Sequence, residues 1–277
     1  MSDRITTAER NMQSRTERLL GMDNLDKIQQ ANVLIFGVGG VGSWCAEALV
    51  RSGVRNLTIV DSDRICITNC NRQLMATSKT LGQVKVEALR SRLLDINPDA
   101  SIVCLQKIYE AETADTFHME DYDYIVDAID SLKEKADLIL RATALPKHVT
   151  LVSSMGAALR RDPFMVRKAE FWKIKGDPLA RAIRNKFKRE KLFPSRKFQC
   201  VYSEEPPMRN LGVNRECHTD TALPDAQGDQ RLAEHDWNAT KAQINGSLCH
   251  ITATFGNAIA GVIINHIIDK NAEEKTQ

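Results

Sequence analysis

Three glycines and an aspartate in the first quarter of the chain have the spacing of a nucleotide-binding site. Gly37, Gly39 and Gly42 form a G-x-G-x-x-G pattern directly after the apolar run 32–36. Glycine lets the backbone approach phosphate oxygens closely, and the N-terminus of a following helix supplies unpaired N–H groups. Asp61 ends a second apolar run nineteen residues after Gly42, where a carboxylate accepts hydrogen bonds from ribose hydroxyls. The pattern predicts a bound nucleotide, and a glycine turn that serves packing alone is the alternative.

Charged side chains beyond the second apolar run favour ATP over a nicotinamide cofactor. Arg72 can hold phosphate oxygens with its planar fork, and Lys85 can neutralise the charge that develops as pyrophosphate leaves. Asp130 follows a later apolar run and is a candidate ligand for Mg²⁺, which binds proteins through one or two carboxylates together with phosphates. The other candidate polar side chains here are Asp63, Asn69, Asn71 and Gln73. We expect ATP and Mg²⁺, although each residue taken alone could be an ordinary surface charge.

The apolar runs alternate with segments of helical periodicity. Strands are predicted at 32–36, 57–60, 101–105, 124–126 and 150–153, with helices at 43–53, 84–96 and 133–144. Such alternation predicts parallel strands with right-handed crossovers, and therefore an α/β fold with a doubly wound, mostly parallel, Rossmann-like sheet. We expect residues 1–155 to form the nucleotide-binding region and 156–277 a basic extension, an acidic loop and a C-terminal helix of the same continuous domain.

The second half of the chain has an uneven distribution of charge. The net charge of the whole chain is +2, yet residues 160–197 hold fourteen Lys and Arg against four Asp and Glu, a net charge of +10. Such a segment attracts polyanions, of which nucleic acid is the commonest, although a solvated helical face is the alternative. The acidic, proline-containing stretch 204–236 is predicted to be a long mobile loop.

The composition and the remaining segments exclude several classes of protein. With 43% hydrophobic and 27% charged residues, the chain is neither disordered nor collagen-like nor a coiled coil. The apolar segment 251–268 is shorter than the roughly 20 residues of a membrane span and has three polar interruptions, so we expect a buried helix and no membrane contact. The seven cysteines occur singly, which does not suggest a disulfide framework, and we expect a cytoplasmic protein.

In combination, these motifs resemble the ubiquitin-activating-enzyme superfamily, including its bacterial ThiF, MoeB and HesA members. The matching segments are FGVGGVGS (36–43), the strand end at 61–63, TNCNRQ (68–73), GQVKVE (82–87) and DAIDS (127–131). The resemblance implies an enzyme that adenylates a carboxylate with ATP and Mg²⁺.

The resemblance also implies roles for individual residues. It places Gly39 and Gly40 at the phosphates, Asp61 at the ribose, Asn71, Arg72 and Lys85 at the triphosphate, and Asp130 at the metal. Arg15 matches an N-terminal arginine that reaches the γ-phosphate in the partner subunit, which implies a homodimer.

A narrower resemblance concerns the carboxylate that is activated. Members that activate sulfur-carrier proteins bind zinc through two C-x-x-C pairs. This chain has none, since Cys66 and Cys70 have three residues between them, and we expect no zinc. The segments 176–188, 198–205 and 251–256 resemble the tRNA threonylcarbamoyladenosine dehydratases, which cyclise this modified adenosine of tRNA with ATP. A sulfur-transfer protein such as a cysteine desulfurase is a further candidate partner.

Several alternatives stay open from the sequence. The chain could instead adenylate the C-terminus of a ubiquitin-like carrier protein, or act as a non-catalytic nucleotide- or tRNA-binding scaffold. Cys200 is either a catalytic thioester nucleophile, as in many superfamily members, or a small buried hydrophobic residue. If tRNA is the substrate, the basic segment would hold its backbone, and Phe171, Trp172 or Phe198 would stack on an extruded base.

Overall fold

The computed structural model describes residues 12–212, 232 and 245–276. Its helices are α1 (Ser14–Leu20), α2 (Met22–Gln30), α3 (Gly42–Arg51), α4 (Lys85–Ile96), α5 (Leu132–Ala144), α6 (Pro178–Glu190) and α7 (Cys249–Thr276). Its strands are β1 (Asn32–Phe36), β2 (Asn56–Val60), β3 (Ser101–Leu105), β4 (Tyr124–Asp127), β5 (Thr150–Ser154), β6 (Val166–Glu170) and β7 (Gln199–Ser203). Most of the predicted acidic loop lies outside the described residues.

The described strands form one sheet in the order β3-β2-β1-β4-β5-β7-β6. Pairing is parallel from β3 to β7, and β6 alone runs antiparallel, against β7. The carboxyl ends of β1, β2 and β4 are neighbours, so the loops that follow them meet at one edge of the sheet. The predicted α/β fold with a mostly parallel sheet and a C-terminal helix is confirmed, whereas β6 and β7 were not predicted.

Strand β1 divides its apolar side chains between two cores because successive residues of a strand face opposite sides of the sheet. Val33 and Ile35 pack in the core beneath α3, α4 and α7. Leu34 and Phe36 pack in the core beneath α5 and α6. The sheet is therefore covered on both faces, which leaves its carboxyl edge as the place where a ligand can reach the strand ends.

Helix α7 packs along α3. Ile251, Phe255, Ile259 and Ile263 are fully buried, and their four-residue spacing puts them on one face. At Gly256 the helices approach so closely that a Cβ atom would lie 2.5 Å from the Val41 carbonyl oxygen. Among the described helices, residues 249–275 are long and apolar enough to span a membrane, with 44% of the apolar window buried inside the protein. A core helix meets the same criterion, and the contacts of α7 are those of a core helix.

The contact at Gly256 provides a test of this packing. Gly256→Ala forces the new Cβ against the backbone of α3, and we expect it to lower the free energy of unfolding by about 1–3 kcal/mol. Gly261→Ala, in the same helix, is the matched control because nothing lies within 4 Å of its added Cβ. That control should be neutral or stabilising by about 0.5–1 kcal/mol. Urea unfolding of the two variants measures both effects, and equal values would contradict the packing of α7.

Candidate functional site

The phosphate loop between β1 and α3 requires glycine at two positions for steric reasons. Gly37 has φ of +85°, and a Cβ there would lie 2.8 Å from the Ala128 carbonyl oxygen. At Gly42 an added Cβ would lie 1.8 Å from the Gly37 carbonyl oxygen. Gly39 differs, since the nearest atom to its Cβ position is Gln73 Nε2 at 3.8 Å. The first and third glycines of the motif close the turn, and the middle glycine leaves open space beside it.

Asp61, at the end of β2, accepts hydrogen bonds from the phosphate loop and from the turn that follows β2. Val38 N donates to Asp61 Oδ2 (2.9 Å), and Asp63 N donates to Asp61 Oδ1 (3.0 Å). Lys85 Nζ donates to Asp63 Oδ2 (2.6 Å) and lies 3.9 Å from Asp61 Oδ1. Burial alone would lower the pKa of Lys85, but the two carboxylates outweigh it and the pKa is raised. A charged ammonium is therefore held next to the phosphate loop.

Arg72 lies beside the phosphate loop at Gly40. Its Cγ would be 3.3 Å from a Cβ at Gly40, so the side chain packs directly against the glycine turn. Burial lowers the pKa of Arg72, and the carboxylate of Asp130 opposes that shift. The charge of Arg72 in turn acts to lower the pKa of Lys85. The structure thus brings Arg72, Lys85 and Asp130, which are far apart in the sequence, into one electrostatic environment.

The predicted polar residues around Arg72 have different surroundings. Asn71 Nδ2 donates to the Ser247 carbonyl oxygen (3.0 Å), which ties this loop to the segment before α7. Asn69 Oδ1 accepts a backbone N–H within its own turn (3.0 Å). Gln73 is buried beside the loop, and its Oε1 has no hydrogen-bond partner among the described residues. Of these side chains, Gln73 retains an unused acceptor near Gly39.

Beneath the edge lies a buried ion pair that the sequence analysis missed. Lys135 Nζ donates to Asp127 Oδ1 (2.7 Å), and Ser153 Oγ donates to Asp127 Oδ2 (2.6 Å). Neither charged side chain is exposed to solvent. Asp127 ends β4, so the pair fixes the start of the loop that carries Asp130. The only sequence signal was an acid at a strand end with a lysine eight residues later, which is indistinguishable from two solvated charges.

Asp130 itself is exposed. The described ranges contain no group of three or more His, Cys, Asp or Glu side chains that could form a metal cage. Mg²⁺ does not need such a cage, because it commonly binds one or two carboxylates while phosphates and water complete its coordination. The exposed carboxylate next to Arg72 therefore suits a magnesium ion that arrives with a nucleotide.

Arg15 is not part of this cluster within one chain. It is exposed on α1, and α1 adjoins the far end of α3, where Gln13 Nε2 donates to the Arg51 carbonyl oxygen (3.2 Å). The phosphate loop lies at the opposite end of α3. The expected contact of Arg15 with a γ-phosphate therefore requires a second subunit.

Cys200 lies fully buried in β7, and burial raises the pKa of its thiol well above the ordinary value. Nucleophilic cysteines have the opposite environment, partly exposed with a lowered pKa. Of the two alternatives left open, this position suits the structural one, and we do not carry Cys200 into the proposed mechanism. Among the described cysteines, Cys45, Cys70, Cys104, Cys200 and Cys249 are free.

The three aromatic residues expected to stack on a base do not present exposed rings at the carboxyl edge of the sheet. Phe171 and Phe198 are buried and stack on each other, with ring centroids 5.0 Å apart. Trp172 is 40% exposed, but it follows β6, which runs antiparallel, and so it lies towards the amino ends of the parallel strands. None of the three offers a free ring at the carboxyl edge, because burial or strand direction prevents it.

The burial of Cys200 predicts a pattern of thiol reactivity. In the native protein, iodoacetamide should modify the exposed Cys70 and Cys249, whereas Cys45 and Cys200 should stay unmodified until denaturant is added. Peptide mass spectrometry after a short exposure measures this. Rapid native modification of Cys200 would restore it as a candidate nucleophile.

The chain is similar to known proteins in sequence and in fold. The ThiF family model matches residues 11–276. The tRNA threonylcarbamoyladenosine dehydratase of Haemophilus influenzae is 34% identical over 263 residues, which are 92% of each chain. The protein of the same name from Bacillus subtilis is 39% identical over 195 residues, 70% of this chain and 75% of the relative. The crystal structure of Escherichia coli tRNA N6-threonylcarbamoyladenosine dehydratase in complex with ATP matches with a TM-score of 0.78 at 28% identity, over 98% of this chain and 99% of that chain.

Proposed function

The chain belongs to the ThiF family, and from this premise we propose that it is an ATP-dependent dehydratase that cyclises threonylcarbamoyladenosine in tRNA. The observation that carries the proposal is the phosphate loop with two cations beside it, in a chain that aligns with named dehydratases over nine-tenths of its length. The related Escherichia coli structure contains ATP, and the same fold supports ATP binding here.

The first step is adenylation of the threonyl carboxylate. A carboxylate oxygen attacks the α-phosphorus of ATP, a P–O bond forms, and pyrophosphate leaves with the electrons of the broken P–O bond. We assign Lys85 and Arg72 to the charge that accumulates on the phosphate oxygens, because fixed cations at a partly buried edge stabilise it without rearrangement. Asp61 is assigned to the ribose hydroxyls, since each of its oxygens can accept more than one hydrogen bond.

The second step is ring closure on the activated carbonyl. A nitrogen of the same modified group attacks the carbonyl carbon and gives up its proton to water, the bond to the adenylate oxygen breaks, and AMP leaves with the electrons of that bond. The nucleophile and electrophile belong to one small group, so the reaction is intramolecular and has the entropic advantage of such reactions. This route requires no covalent intermediate on the enzyme, in accord with the buried Cys200.

Mg²⁺ is proposed to bind through Asp130 and the ATP phosphates, where it would neutralise phosphate charge. We further propose a cytoplasmic homodimer in which Arg15 reaches the partner's nucleotide, with tRNA held by the basic segment 160–197. A cysteine desulfurase or another sulfur-transfer protein stays a candidate partner, and no zinc is expected to bind.

The proposed reaction can be tested with purified components. The protein, ATP, Mg²⁺ and tRNA that carries threonylcarbamoyladenosine should yield a nucleoside lighter by one water, together with one AMP per product. Nucleoside mass spectrometry under mild conditions detects it, and tRNA without the modification is the control. Pyrophosphate exchange that needs a carrier protein and ignores tRNA would instead favour activation of a carrier C-terminus.

Arg72→Ala tests the assignment of the phosphate contacts. Loss of a charge-assisted hydrogen bond costs about 1.5–3 kcal/mol, so we expect ATP affinity to fall roughly tenfold to a hundredfold. Thermal stability should change little, because the guanidinium donates to Thr68 and Asn71 within its own loop. Arg90→Ala, an exposed arginine on α4, is the control and should bind ATP normally. Calorimetric titration measures the ATP affinity of both variants. Equal ATP affinities of Arg72→Ala and Arg90→Ala would contradict the role of Arg72.

A further inference from the structure

Phe164 is an exposed aromatic residue at the same edge of the sheet as the nucleotide loop. It lies in the short 3₁₀ turn Pro163–Met165 directly before β6. Val166, the first residue of β6, pairs with Ser203 at the carboxyl end of β7. The side chain is 84% exposed, so nothing in the described chain covers its ring.

The turn that carries Phe164 is held in a fixed position. The carboxylate of Glu205 accepts hydrogen bonds from the backbone N–H groups of Arg161 (2.9 Å) and Asp162 (3.0 Å). Asp162 Oδ1 then accepts the N–H of Phe164 itself (2.9 Å). An exposed aromatic ring on a hydrogen-bonded turn loses little freedom when a ligand stacks on it.

The first turn of α7 connects this position to the nucleotide site. His250 lies 2.9 Å, through Nε2, from the Arg161 carbonyl oxygen. Two residues later, Thr252 packs against the phosphate loop, with its Cγ2 3.1 Å from a Cβ position at Gly40. The segment that carries Phe164 therefore contacts, at Arg161, the same turn of α7 that packs against the phosphate loop.

The surroundings of Phe164 carry positive charge. Arg161, Arg167 and Lys168 are exposed. Arg167 lies 3.5 Å from the Glu204 carboxylate, and the charge of Arg161 helps to lower the pKa of Glu205. Unpaired RNA is recognised by this combination, in which bases stack on an aromatic ring and cations bind the adjacent phosphates.

We propose that Phe164 stacks on an unpaired base of the substrate RNA beside the nucleotide being modified, while Arg161 and Lys168 bind the neighbouring phosphates. This inference rests on the proposed function, because it takes RNA as the substrate. It replaces Phe171, Trp172 and Phe198 as the source of the ring, since those side chains are buried or lie away from the carboxyl edge.

The test uses the full chain and an anticodon stem-loop RNA with 2-aminopurine in its loop. Phe164→Ala should weaken RNA binding about fivefold to a hundredfold, the usual loss for one base stack, and abolish the quenching of 2-aminopurine. Phe164→Trp should restore both signals, which a merely structural role would not predict. ATP affinity should be unchanged in both variants.

Phe193→Ala is the matched control, because Phe193 is 53% exposed but lies near the amino ends of the parallel strands. Its position follows from Arg196, three residues later, which donates to the carbonyl of Val149 directly before β5. Equal losses at Phe164 and Phe193, or an unchanged affinity of Phe164→Ala, would overturn the inference while the proposed function stands. A change in oligomeric state without a change in RNA affinity would overturn it too, by assigning Phe164 to a contact between copies. ATP binding by the wild type without any RNA binding would overturn both proposals.

Discussion

The carboxylate of Asp61 connects the phosphate loop to the end of the neighbouring strand, and the geometry of the nucleotide site depends on it. By accepting the N–H of Val38 it fixes the loop, and through Asp63 it holds Lys85 at the same edge. Two carboxylates compensate a buried ammonium that would otherwise favour its neutral form. The site therefore keeps the charged ammonium of Lys85 in place before any phosphate is bound, at the cost of desolvating Lys85 and Asp61, whose side chains are 6% and 11% exposed.

A second constraint lies below the edge, where Asp127 and Lys135 form a pair without solvent contact. Breaking such a pair by removing one partner typically costs about 3–5 kcal/mol, so neither residue tolerates loss of its charge easily. Together with the close contact at Gly256, this pair makes the strand ends a rigid support. Rigidity matters because cations stabilise a developing phosphate charge only if they do not have to move.

The sequence predicted β1 to β5 well because each is a short apolar run that ends at a polar turn. It did not predict β6, where Arg167 and Lys168 interrupt the apolar positions, or β7, whose short apolar run at 200–202 directly follows the basic segment. The Rossmann-type motif located Asp61, and the charged residues that follow the second apolar run, together with the resemblance, located Arg72 and Lys85. The sequence could not predict which aromatic side chains are exposed, because only tertiary packing decides that Phe171 is buried while Phe164 is not. For the same reason Cys200 could be interpreted in two ways from the sequence.

The central claim is that ATP activates the carboxylate as a mixed anhydride with AMP. Transfer of a labelled oxygen from the carboxylate to AMP tests this claim most directly. With tRNA whose threonyl carboxylate carries ¹⁸O, ring closure should leave one labelled oxygen in the phosphate of AMP, because the C–O bond breaks and the P–O bond formed earlier remains. Mass spectrometry of AMP and pyrophosphate from one turnover detects the label. With both carboxylate oxygens labelled, the account predicts one labelled oxygen in AMP, one kept in the carbonyl of the cyclic product and none in pyrophosphate. Unlabelled AMP alongside cyclic product would contradict it.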